Sequence, residues 1–159
     1  MQRGLPFGGR GCDEPAHCCF RQQAGLYSAD LQRVIDTTTR TVALANAGQP
    51  PVYHYHANTG VVEAIEHHAY PPGVRRDTTS RPGALRYRPG DTVVFYTDGL
   101  VEAWNAKGET FERLEGLLAW YGKSSATDLQ ATILAELRTF LGELAAKDDI
   151  TLSYSSLFT

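Results

Sequence analysis

Tyr87-Arg-Pro-Gly-Asp-Thr-Val-Val-Phe-Tyr-Thr-Asp-Gly-Leu-Val-Glu-Ala-Trp-Asn105 is the stretch around which the 159-residue chain is organised. Pro89-Gly90-Asp91 sets a tight turn. Thr92 to Thr97 is a run of β-branched and aromatic residues, the composition of a core strand. Asp98-Gly99 follows at once. A carboxylate at a strand end, beside a residue with no side chain, is placed to hold a hard metal ion, although Asp-Gly is also an ordinary turn.

Upstream of this stretch, short strand signals alternate with Asn, Gly and Pro. Leu26–Ile35, Thr41–Ala45, Val52–His56 and Val61–Ile65 read as strands, with turns at Asp36–Arg40, Asn46–Pro51 and Asn58–Gly60. That punctuation predicts an antiparallel meander. His67 to Ala84 has no steady pattern and reads as a loop, with a short strand at Leu85–Tyr87.

Downstream the period changes. Leu100–Asn105 reads as a helical turn or two. Phe111, Leu114, Leu117, Leu118 and Tyr121 lie on one face of a helix over Thr110–Tyr121, with Gly122 as its stop. Ser125 or Thr127 caps a second helix running through Leu144. Lys147-Asp-Asp-Ile-Thr-Leu-Ser-Tyr154 is a final strand that opens with two carboxylates. Strands, then helices, then a last strand predict an α+β fold with helices packed on mostly antiparallel sheet.

Hydrophobic content is 42%, charged content 21% and net charge −3. These values fit a globular domain and leave no basic surface for nucleic acid or an anionic membrane. With no apolar run of membrane length and no signal-peptide core, the expected location is cytoplasmic. Cys12, Cys18 and Cys19 cluster near the start, an odd number that reads as incidental thiols rather than a disulfide framework or a zinc site.

Asp98 at the exit of one core strand and Asp148-Asp149 before another form the chemical constellation. If those strands are antiparallel neighbours, the ends meet. Because successive strand residues face opposite sides, only one of Asp148 and Asp149 is expected to share a site with Asp98. Oxygen-only ligands suit Mg²⁺ or Mn²⁺, ions that activate water and neutralise phosphate charge. Solvated acidic turns are the competing reading.

The segments "LRYRPGDTVVFYTDGLVEAWNAKGETF", "LANAGQPPVYHY" and "DDITLSY" resemble the second half of the sporulation-protein-E-like branch of the metal-dependent (PPM, type 2C) protein phosphatases. The resemblance covers about residues 24–157. It implies an αββα sandwich, two Mn²⁺ or Mg²⁺ ions, and a phosphorylated protein substrate such as an anti-anti-sigma factor. It also implies that Asp98 and Asp148 are metal ligands, with Gly99 letting the backbone approach the site and Asp149 in a supporting role.

This sequence departs from the family pattern in two places. The Asp-x-x-Gly-His-Gly stretch that supplies the metal-bridging Asp is absent, and Glu112 follows Phe111 where the family usually has glycine. Residues 1–23 are therefore expected to be an irregular tail foreign to the family, and 24–159 the C-terminal portion of a phosphatase domain. A partial sandwich lacking its N-terminal strands is expected to expose sheet surface and to dimerise through it. The second functional reading is an inactive domain that binds a protein partner.

Other residues carry bland expectations. His54 and His56 share a strand face, read as a polar outer face because no third ligand is evident. His67 and His68 read as solvated loop residues, and Arg75, Arg76 and Arg81 likewise. Trp104, Trp120 and Tyr121 read as core or interface residues, Glu102 as stabilising a helix terminus, and Asp91 as a turn residue.

Overall fold

The computed structural model describes residues 30–66 and 83–157. The tail over 1–23, Cys12, Cys18, Cys19, His67, His68, Arg75, Arg76 and Arg81 lie outside the described residues. Two antiparallel sheets and three helices follow one another in the expected order. Strands β1 (Asp30–Asp36), β2 (Thr41–Ala47) and β5 (Gly83–Arg86) form one sheet in the order β1-β2-β5. Strands β3 (Val52–His56), β4 (Val61–Ile65), β6 (Asp91–Tyr96) and β7 (Leu152–Leu157) form the other, in the order β4-β3-β6-β7. The expected meander is therefore divided. β1–β2 and β3–β4 are hairpins, but the chain crosses between sheets after β2, after β4 and again after β5.

β6 occupies the centre of the second sheet, and its composition explains why. All six of its residues are buried. Val93 and Phe95 face the first sheet, joining Val42, Leu44, Val52, Leu85, Tyr87 and Leu157 in one apolar cluster. Val94 and Tyr96 face the helices and pack with Leu100, Phe111, Leu114, Leu118, Leu129, Ile133 and Leu137. A strand covered on both sides needs an unbroken apolar run, as Thr92 to Tyr96 supplies.

The helices are α1 (Asp98–Val101), α2 (Leu114–Tyr121) and α3 (Ala126–Leu141). Thr110 lies before α2, held in a bridge to Trp104. α3 is capped by Ser125, whose Oγ accepts the Asp128 N–H at 3.1 Å and donates to Asp128 Oδ2 at 2.7 Å. It stops at Leu141 and not Leu144, because Gly142 turns left-handed (φ +60°). Ser125→Ala should cost about 1 kcal/mol in chemical denaturation, the usual worth of a serine N-cap.

Burial and position correct three expectations. Trp104, Trp120 and Tyr121 are exposed, Trp120 at 85%, so none is a core residue. The apolar face of α2 is completed by Leu114 and Leu118, leaving Trp120 on the far side, while Tyr121 ends the same face at the last helical position and stays exposed. Glu102 caps the C-terminal end of α1, where the helix dipole is negative, so a carboxylate there does not stabilise the terminus. His54 is not on an outer face: β3 is an interior strand, and His54 is 1% exposed.

Candidate metal centre

Two ends of the four-stranded sheet carry titratable clusters, and β6 connects them. At its C-terminal end, β6 runs antiparallel to β7 with Tyr96 opposite Leu152. β7 starts at Leu152, five residues later than the expected start at Lys147, so Asp148 and Asp149 lie in the connection before it. The alternation rule therefore does not apply to them, and both side chains are exposed. Thr97 ties this connection to β6. Its Oγ1 donates to the Asp149 carbonyl at 3.0 Å and accepts the Thr151 N–H at 2.9 Å, and its N–H donates to the Thr151 carbonyl at 3.1 Å.

Gly99 completes the contact. It is buried in α1, and a Cβ built on it would stand 2.6 Å from the Asp149 carbonyl oxygen and 3.4 Å from the Asp148 carbonyl carbon. The backbone of Asp148–Asp149 thus lies against the first turn of α1, next to Asp98. Asp98 Oδ1 accepts the Gly99 N–H at 2.9 Å, and Asp148 Oδ1 accepts the Asp149 N–H at 2.8 Å. Each carboxylate has its second oxygen without a protein partner among the described residues. The positioning role of Thr97 has no sequence signal, because a threonine ending a β-branched run reads as strand. Lys147 covers the face of Trp104, its Nζ 3.3 Å from the ring centroid, and so anchors the same connection from the other side.

At the N-terminal end of β6, Asp91 is a turn residue as expected, and more. It is 1% exposed and accepts three hydrogen bonds, from Arg88 N–H (2.8 Å), Ala57 N–H (3.0 Å) and His54 Nε2 (3.0 Å). Burial pushes its pKa up, but the two backbone donors and His54 outweigh burial, and the net direction is down. Burial first, and the neighbouring His56 second, lower the pKa of His54 against the pull of Asp91. A neutral His54 donating Nε2–H to an ionised Asp91 satisfies both directions and assigns the tautomer. His56 Nε2 in turn lies 3.0 Å from Glu63 Oε2. Among the described residues, His54, His56 and Glu63 are the group of three that meets metal-ligand spacing, and Asp98 and Asp148 are not part of such a group. Glu63, the member of this group that the sequence does not reveal, stands opposite His54 across the β3–β4 hairpin.

The family Stage II sporulation protein E (SpoIIE) matches residues 22–156. The chain belongs to the SpoIIE family. Among solved structures, this SpoIIE-family chain is similar to the SiaA-PP2C domain of Pseudomonas aeruginosa, at 24% identity and TM-score 0.69, over 82% of this chain and 52% of that one. It is also similar to the RsbU and RsbW domains of a Mycobacterium tuberculosis protein, at 26% identity and TM-score 0.67, over 84% of this chain and 37% of that one. The manganese-presoaked phosphatase domain of SpoIIE from Bacillus subtilis aligns at 13% identity and TM-score 0.64, over 90% of this chain and 62% of that one. The chain thus spans between 37% and 62% of the length of these three structures. A search of curated proteins finds no match. The α+β architecture with antiparallel sheets agrees with these PP2C-type domains, and no helix among the described residues is long and apolar enough to cross a membrane.

Proposed function

We propose that this chain supplies the Asp98–Asp148 part of a metal-dependent protein serine/threonine phosphatase site. The observation that carries the reading is the seating of the Asp148–Asp149 backbone directly on Gly99, which brings two exposed carboxylates to one end of the sheet. The donor set fits a hard divalent ion, because it is oxygen-only and each carboxylate keeps an oxygen unused by the protein. Asp98 and Asp148 would hold Mn²⁺ or Mg²⁺. Gly99 lets the two backbones approach, Thr97 fixes the connection, and Asp149 supports it through its carbonyl. When bound, such ions neutralise phosphoryl oxygens and lower the pKa of a coordinated water, which suits phosphomonoester hydrolysis.

A phosphorylated regulatory protein of the anti-anti-sigma type is the substrate class, and the cytoplasm the location. SpoIIE-family membership and the likeness to an RsbU domain support this. A second copy of the chain is the candidate partner for the three-stranded sheet, whose outer face carries Val34, exposed at 38%, beside Ala43 in the β1–β2 register.

The second reading is an inactive domain that binds a protein partner. It is favoured by one specific observation: among the described residues, Asp98 and Asp148 have no third ligand-type side chain within metal-ligand spacing. Turnover of a phosphoserine substrate protein with added Mn²⁺ separates the two. The catalytic reading predicts metal-dependent release of phosphate that falls on the order of a hundredfold in Asp98→Asn and in Asp148→Asn, the loss of roughly 3 kcal/mol of transition-state stabilisation. No release at any manganese concentration would leave the binding module.

A further inference from the structure

Three ligand-type side chains converge at the end of β6 remote from Asp98. His54 and His56 are two apart on β3, so both rings project from one face, and Glu63 on β4 pairs directly with His54. The imidazole centroids are 4.0 Å apart. One ligand atom from each of His54, His56 and Glu63 lies within 4.8 Å of the others. Behind them the buried Asp91 carboxylate accepts the Nε2–H of His54. A carboxylate in that position orients a metal-binding imidazole and leaves the lone pair on its other ring nitrogen, Nδ1.

We propose that His54, His56 and Glu63 form a second metal site, built for Zn²⁺ and oriented by Asp91. Two imidazoles and one carboxylate are donors that zinc accepts and that magnesium does not favour. Three protein ligands leave a fourth tetrahedral position for water or an incoming group. Zinc bonds of about 2.1 Å place tetrahedral ligand atoms about 3.4 Å apart. The His56 and Glu63 atoms, at 3.0 Å, already have nearly that separation, and rotation of side chains closes the rest of the 4.8 Å triad. Glu63 and His56 are partly exposed, so an ion has a path in, while the buried His54–Asp91 pair supplies the rigid base. β4 is the edge strand of its sheet, and a zinc ion shared by β3 and β4 would pin that edge. Asp91 and Asp98 are seven residues apart, roughly 20 Å along an extended chain, so this site is separate from the phosphatase carboxylates.

The test is calorimetric titration of the full chain with ZnCl₂, with Co²⁺ as a spectroscopic substitute. The expected result is a single tight equivalent, weakened tenfold or more by His56→Ala and by Glu63→Gln and unchanged by Asp98→Asn. Glu63→Gln alters an exposed side chain and so leaves the fold intact. Cobalt at the site should show nitrogen and oxygen ligation without a thiolate charge-transfer band, which separates it from binding at Cys12, Cys18 or Cys19. The proposal is overturned by absent zinc binding, by affinity indifferent to both substitutions, or by a thiolate band in the first equivalent.

Discussion

Asp91→Ala should lower the free energy of unfolding by about 3 kcal/mol, read as a lower urea midpoint at unchanged slope. The carboxylate holds together two segments distant in sequence: the turn before β6 through Arg88, and β3 through His54 and the Ala57 that follows it. Its removal leaves the His54 donor buried without an acceptor, at 1% exposure, and two half-buried backbone donors short of theirs. An unsatisfied buried donor costs about 1–3 kcal/mol, and partial relaxation keeps the total below the sum. Asp91→Asn keeps one acceptor oxygen and should fall between wild type and alanine. A loss below about 1 kcal/mol in the alanine variant would mean that water replaces the carboxylate and that the network does not organise this end of the sheet.

Gly99→Ala should cost about 2 kcal/mol and weaken Mn²⁺ binding at Asp98–Asp148 by about tenfold. Gly99 sits in a helical turn, where alanine is ordinarily favoured over glycine by up to about 1 kcal/mol. The expected sign is reversed because the added methyl would stand 2.6 Å from the Asp149 carbonyl oxygen and 3.2 Å from its carbon. These are backbone atoms, with no side-chain torsion to relieve the overlap, so α1 and the 148–149 connection must separate. That same separation is what joins or parts the two carboxylates. Thermal unfolding and manganese titration of one variant therefore report two consequences of one contact. A stabilised Gly99→Ala variant would show that the two backbones are not held together.

Both predictions rest on placements that the sequence reveals unevenly. β6 is legible because five consecutive apolar or β-branched residues admit only a strand buried on both faces. Its pairing with β7 is only a condition in the sequence and is supplied by the register, whereas α3 follows from the spacing of Leu129, Ile133 and Leu137. The start of β7 is not legible, since Ile150 and Thr151 have strand composition but are held in the connection by Thr97. The rule that opposed Asp148 to Asp149 fails for that reason. His54 shows a different limit. Alternation reveals that His54 and His56 share a face, but not that the face looks toward a second sheet. Only the pairing of β3 with β6 shows this, and it makes Asp91 the natural partner. Trp120 shows the converse: aromatic composition suggests burial, yet Leu114 and Leu118 already fill the space beneath α2.

The central claim is that Asp98 and Asp148 occupy one divalent-ion position, and paramagnetic broadening by Mn²⁺ in an amide NMR spectrum of the full chain tests it most directly. Broadening should appear first at Asp98, Gly99 and the Asp148–Thr151 amides and be lost in Asp98→Asn, with Ala57 and Arg88, at the far end of β6, unaffected. Sharp signals for Asp98 and Asp148 under saturating manganese, or broadening that begins elsewhere, would contradict it.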